Sequence, residues 1–240
     1  MKYFFKIGFL YFVLFSINGF SQLKVETYKS SKTYQIPKWE VLDISVTRKT
    51  NLKSPFTANF IAIFTHESGV VQEVPGFYNG NNEWIIRFSS SLTGNWSFVT
   101  KADSNKLSGK KGKVKVVEAK KDNHGAITVN KNKPEHFYYE DGTPYFLLAF
   151  ECDWLYALDY HNDKELPKTD HLLNLIDENG FNQIVMNVFS YDVSWKKDDK
   201  LKEHPEHEFG GPKDIFPFLG NNENPDYSAL NPAFFKKFDR

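Results

Sequence analysis

Hydrophobic and polar positions follow one rule over the first half of the chain and another over the second. Between about residues 24 and 119 they alternate one for one. Leu42, Ile44 and Val46 fall on one side, with Asp43, Ser45 and Thr47 on the other. Trp84, Ile86 and Phe88 alternate with Ile85 and Arg87, then Trp96 and Phe98 follow, and Val114 and Val116 close the series. Phe60, Ala62 and Phe64 alternate with Ile61 and Ile63, which predicts a strand buried on both faces. Turn signals separate these runs at Ser54-Pro55, Ser68-Gly69, Pro75-Gly76, Asn79-Gly80, Thr93-Gly94 and Ser108-Gly109. A period of two, repeated between such turns, predicts an antiparallel β-sandwich of short strands. No sustained helical period interrupts it.

The pattern changes after Lys120-Lys121-Asp122-Asn123-His124-Gly125, a polar, turn-prone stretch that reads as a domain boundary. Thr128-Val129-Asn130 begins a short strand. His136 to Tyr139 and the apolar run Tyr145 to Phe150 flank the turn Glu140-Asp141-Gly142-Thr143-Pro144, which predicts a hairpin whose second arm is buried on both faces. A helix follows, capped by Thr169 or Asp170, with Leu172, Leu173, Leu175 and Ile176 as its stripe and Gly180 at its end. Phe181 to Phe189 is a second buried strand. Strand, helix, strand predicts a βαβ unit with a parallel pair. A polar loop spans about residues 190–230, and Asn231-Pro232 starts a last helix with Phe234, Phe235 and Phe238 on one side.

The first residues read differently from both halves. Lys2 and Lys6 precede an apolar run from Ile7 to Ile17, and Gly19 and Ser21 occupy the small positions of a cleavage site. About eleven apolar residues fall short of the roughly 20 that span a bilayer. Residues 1–21 are therefore expected to be an export signal rather than an integral membrane span, with residues 22–121 as the sandwich and 122–240 as the second domain. Equal numbers of basic and acidic residues, 30 each, give no global electrostatic case for nucleic acid. Lone Cys152 excludes an internal disulfide framework; in an exported chain it reads as a buried small hydrophobe, with a nucleophile as the alternative.

One constellation is more specific: Pro75-Gly76-Phe77-Tyr78-Asn79-Gly80, then Trp84-Ile85-Ile86-Arg87-Phe88, then Gly94-Asn95-Trp96. Over residues 36–118 it resembles the Ig-like sandwich (DUF5060-type) found ahead of a glycosidase-type barrel in bacterial polysaccharide-degrading proteins. Phe77, Tyr78 and Trp84 then read either as a glycan-contacting surface or as filling of the core and of the contact with the next domain. Phe150-Glu151-Cys152-Asp153-Trp154-Leu155, Val185-Met186-Asn187-Val188 and residues 231–240 resemble the opening of that family's (β/α)8 barrel, related to the apiosidase-like (DUF4038-type) proteins. Where those proteins carry a Gly-Asp-Thr-like turn, this chain has Ala149-Phe150-Glu151. The implied fold class is a β-sandwich followed by an incomplete α/β barrel. Pro134 to Arg240 is 107 residues, and a full barrel needs about 250.

In a barrel, ligands meet the C-terminal ends of the strands. Glu151, Asp153 and Trp154 end the first strand, and Asn187, Phe189, Tyr191 and Asp192 end the second. Carboxylates and amides can hydrogen-bond sugar hydroxyls while Trp and Tyr stack on the sugar face. Glu151, Asp153, Trp154, Asn187 and Tyr191 are thus the candidate substrate contacts. Glu151 and Asp153 share a strand face and could reach the short separation of a retaining pair, about 5–5.5 Å. Subsite contacts and structural hydrogen bonding are the competing roles for them. The resemblance places the catalytic acids on later strands, near the fourth and seventh. His204 and His207 with Glu203, Glu206 and Glu208 lack the HExxH spacing, so the stretch 196–208 reads as a solvated loop, and no metal or cofactor is expected.

The expected function is the N-terminal portion of an exported glycoside hydrolase acting on a polysaccharide or oligosaccharide. The alternatives are a non-catalytic glycan-binding protein and an inactive truncated product.

Overall fold

The computed structural model describes residues 24–188, 196, 198–205, 215–221 and 223–240. The expected export signal, and Phe189, Tyr191 and Asp192, lie outside the described residues. Among those described, no helix is long and apolar enough to cross a membrane.

The molecule is mostly strand. The alternating first half yields β1 (Lys24–Thr27), β2 (Thr33–Pro37), β3 (Leu42–Thr47), β4 (Phe60–His66), β5 (Val71–Tyr78), β6 (Glu83–Phe88), β7 (Gly94–Ala102) and β8 (Lys111–Val117). They join as one hydrogen-bonded sheet in the order β1-β3-β6-β5-β4-β7-β8-β2. The sheet curls because β5 serves two neighbours. Its residues Val71–Pro75 pair with β4, and Gly76–Tyr78 pair with β6. The crossing falls at Gly76, where a Cβ would run into the Phe60 ring and the Ile85 carbonyl. Only glycine lets the backbone pass that close, which accounts physically for the Pro-Gly of the motif.

Curling brings the inner residues of both halves into one core. Phe64 of β4 stacks on Phe88 of β6 with centroids 4.0 Å apart, and Phe60 meets Trp84 edge-on at 5.7 Å. Each such ring contributes about 1.5–3 kcal/mol through burial. Ile61 and Ile63 are half-buried, so β4 is buried on one face rather than both as the sequence suggests. The reverse holds for β3 and β6. Asp43, Ser45 and Ile85 point outward yet are buried, because later parts of the chain cover that outer face.

Those later parts begin with β9 (Ile127–Asn130), β10 (Lys133–Tyr139) and β11 (Pro144–Tyr145), a three-stranded antiparallel sheet. Then β12 (Ala149–Glu151), α1 (Pro167–Glu178) and β13 (Gln183–Val185) make the βαβ unit, its strands parallel with Phe150 opposite Ile184. The apolar run Tyr145–Phe150 is therefore two elements. Asn182 divides it: its Nδ2 donates to the Phe146 carbonyl (2.6 Å) and its Oδ1 accepts from the Leu148 N–H (3.0 Å). Nor are these strands buried on both faces: Phe146 is 80% exposed, and Leu147, Leu148, Val185 and Val188 are exposed as well.

Helix α1 begins at Pro167, with Leu166 at the cap position. Thr169 does not cap it; its N–H donates to the Asp159 carboxylate at 2.7 Å, so the preceding loop supplies the acceptor. The C-terminus matches expectation. Gly180 has φ +82°, its N–H donates to the Asp177 carbonyl, and Phe181 N–H donates to the Ile176 carbonyl, a Schellman closure. Leu172 and Ile176 bury against Cys152, Leu155 and Ile184, while Leu175 is left exposed. Residues 190–230 contain more than the expected loop, since β14 (Phe218–Gly220) and β15 (Pro225–Leu230) form a hairpin. Helix α2 (Pro232–Phe238) starts as expected, with the Asn231 side chain accepting from the Ala233 and Phe234 N–H groups.

Candidate functional site

Strand alternation decides which side chains meet at the β12–β13 ends. Phe150 contacts Phe181, and Cys152, Ile184 and Met186 pack toward α1. Ala149, Glu151, Gln183, Val185 and Asn187 therefore face the other way. The parallel pairing runs past the strand ends, with Cys152 N–H donating to the Val185 carbonyl (2.8 Å) and Asn187 N–H to the Asp153 carbonyl (3.0 Å). Glu151 and Asn187 thus fall on the face away from α1 and are exposed, and Asp153, in the turn beyond β12, is held beside Asn187 by that backbone bond. Trp154 goes elsewhere. It is half-buried against the cluster of Ala157, Ile215 and Phe234, so packing competes with any stacking role. Tyr191 lies outside the described residues, as do Lys197, Glu206, His207 and Glu208 of the 196–208 stretch; among the described residues no group of three metal-ligating side chains occurs.

Cys152 behaves as a core residue. It is buried, and burial pushes its thiol above the usual range, which disfavours the thiolate.

The aromatic motif of the first half resolves toward packing. Trp84 is 1% exposed and touches Phe60 and Tyr78. Tyr78 is half-buried, and Phe77 is exposed with the Arg87 guanidinium 5.4 Å over its ring. These residues wall a cleft of about 320 Å³ between the sheet and α2, closed on the far side by Pro232, Phe235 and Asp239.

Arg87 ties that junction together. Its Nε and Nη2 donate to Asp43 at 2.9 and 2.8 Å, and its Nη1 and Nη2 donate to Asp239 at 3.2 and 2.7 Å. Hydrogen bonds to Asp43 and then Asp239 outweigh burial and raise the guanidinium's pKa. Beside it, burial pushes the Glu83 carboxyl up, but hydrogen bonds from Ser45 and Asn79 and the charge of Lys236 pull it below the usual range. The sequence reading passed over this pair of two-headed contacts. Asp43 and Arg87 are opposite each other in the β3–β6 register, so adjacent polar positions on neighbouring strands carry half the signal. Asp239, 152 residues from Arg87, carries none.

Residues 35–103 match the family model described as a domain of unknown function, DUF5060. The crystal structure of a "putative glycoside hydrolase" from Bacteroides vulgatus ATCC 8482 is 27% identical, with a TM-score of 0.67, over 86% of this chain and 38% of that one. No curated protein matches. The chain thus spans 38% of the length of that protein, and over most of its own length it is similar to it in both fold and sequence.

Proposed function

We propose that this chain is the N-terminal portion of an exported glycoside hydrolase: an Ig-like sandwich at residues 22–121 followed by the first two βα units of a (β/α)8 barrel at residues 122–240. The observation that carries the reading is the parallel β12-α1-β13 unit that follows a DUF5060-like sheet and the small β9–β11 sheet. The similarity to a protein described as a glycoside hydrolase supports it. Lys2, Lys6 and the run Ile7–Ile17 support export. In this reading Glu151, Asp153, Trp154 and Asn187, at the ends of β12 and β13, contact the sugar, and Tyr191 is a further candidate contact. An exposed carboxylate and an exposed amide on one face suit hydrogen bonding to sugar hydroxyls.

Cleavage needs an acid and a base or nucleophile on opposite sides of the glycosidic bond. Glu151 and Asp153 stand two residues apart at the end of one strand, so they fit subsite contacts better than that pair. Reducing-end release from a panel of plant and algal polysaccharides tests the assignment. The protein as encoded by its gene is expected to release oligosaccharides, and residues 22–240 alone to release none. Release by residues 22–240 would overturn the assignment of the catalytic pair to other strands. No release by the encoded protein would overturn the hydrolase reading in favour of a glycan-binding protein.

A further inference from the structure

The neutral total conceals a segregation of charge. Residues 22–121 carry 16 Lys+Arg against 8 Asp+Glu, and residues 122–240 carry 12 against 22. The densest basic stretch is 101–121, with eight lysines and two acids. Strand geometry turns part of it into a ladder. On β8, Gly112, Val114 and Val116 are buried, while Lys111, Lys113 and Lys115 are exposed on the outer face. A rise of about 3.3 Å per residue sets successive lysines roughly 7 Å apart. Lys101 of β7 extends the ladder sideways.

Little neutralises this face. Among the described residues, none of Lys101, Lys111, Lys113 and Lys115 has an acidic partner, whereas Lys24 and Lys32 share Glu26 and Lys120 holds Glu40. Glu67 at the border is engaged by the Asn95 N–H and side chain. Glu73 stands on β5, separated from β8 by β4 and β7.

The face is also shaped. Two adjoining depressions of about 610 and 440 Å³ share Thr33, Thr65, Ser97 and Lys113. Serine, threonine and lysine residues supply much of their lining. The rings that reach them, Phe98, Trp96 and His66, are 3%, 2% and 9% exposed, so they offer no open face for the base stacking that single-stranded nucleic acid binding uses. Lys236 and Asp239 bind Glu83 and Arg87 on the outer face of the other half of the sheet, whereas Lys101, Lys111, Lys113 and Lys115 stay exposed among the described residues.

We propose that the lysine face of β7 and β8 binds an anionic polysaccharide, carboxylated or sulfated, and retains the polymer beside the second half of the chain. Preference for a glycan among polyanions rests on the hydrolase reading above; the binding itself needs no catalysis. Native electrophoresis of residues 22–240 through gels containing dextran, dextran sulfate or polygalacturonate tests it, with duplex DNA as a parallel arm. Retardation is expected with dextran sulfate, polygalacturonate or both, and not with dextran, and it should weaken as salt is raised. Which anion retards identifies the sulfate or the carboxylate form. Lys111→Ser/Lys113→Ser should weaken retardation tenfold or more, while Lys49→Ser/Lys53→Ser, the same charge change on exposed residues elsewhere, should leave it unchanged. Equal loss in both variants, equal retardation by DNA, or a salt-sensitive dimer that the Lys111/Lys113 variant abolishes would each overturn the proposal. Binding without hydrolysis by the encoded protein would sink only the hydrolase reading; hydrolysis without binding would sink only this one.

Discussion

Arg87 is where the two halves of the chain meet chemically. Asp43 is 3% exposed, and a buried carboxylate without a partner is costly. Arg87→Ala should therefore destabilise the protein by about 3 kcal/mol, the lower end for breaking a buried pair because the arginine itself is one-third exposed. Asp239→Asn should cost about 1 kcal/mol or less, since Asp239 is more open to solvent. Chemical denaturation of the single variants and of Asp43→Asn/Arg87→Met checks this; the double variant should recover much of the loss, because it leaves no orphan charge. The sequence makes half of this cluster legible, as Asp43 and Arg87 alternate outward on strands that pair. The Asp239 contact depends on how the chain returns to the sheet, and no local pattern encodes that return. The same limit applies to the strand-end cluster. Alternation brings Glu151 and Asn187 to one face, but Trp154 is drawn toward Phe234, a residue of the last helix, which sequence spacing does not reveal.

The elements are most legible where one residue has a conformational task. Gly180 ends α1 because a left-handed backbone is needed there, and Asn231-Pro232 starts α2 because an acceptor and a fixed φ are needed there. Gly180→Ala should cost about 1 kcal/mol. Asn231→Ala should cost about 1 kcal/mol, and thermal melts should register either as a fall of about 2–4 °C for a chain of this size. Elements are least legible where apolar runs lack punctuation. Tyr145–Phe150 reads as one strand, yet Asn182, far along the chain, divides it by taking two of its backbone groups. The β14–β15 hairpin lies in a stretch whose polarity masks its strand period. The start of α1 is not legible because its acceptor, Asp159, comes from the loop before it rather than from the cap position.

At the scale of the molecule, the curled sheet has a closed core, whereas the β12–β13 pair leaves Phe146, Leu147, Leu148, Val185 and Val188 exposed. Limited proteolysis of residues 22–240 should therefore leave a resistant N-terminal fragment ending near residue 121 and degrade the remainder. A resistant C-terminal fragment would contradict this. Excision at that boundary has a cost, because it removes Lys236 and Asp239 from Glu83 and Arg87 on the sheet; the isolated fragment should melt lower than the intact chain. The opposed charges of the two halves, visible only when the chain is divided at the right place, leave the polar outer face of β7 and β8 as the open surface.

The central claim is that the ends of β12 and β13 contact the sugar in a glycoside hydrolase. It is tested most directly by kcat/KM of the encoded protein on the polysaccharide it degrades best, comparing wild type with Glu151→Gln and Asn187→Ala. Both residues are exposed, so both variants should keep the wild-type melting temperature. A rise in KM of tenfold or more, corresponding to about 1.4 kcal/mol of lost binding, is the predicted result. Unchanged kinetics in both variants, or no hydrolysis of any glycan by the wild type, would contradict it.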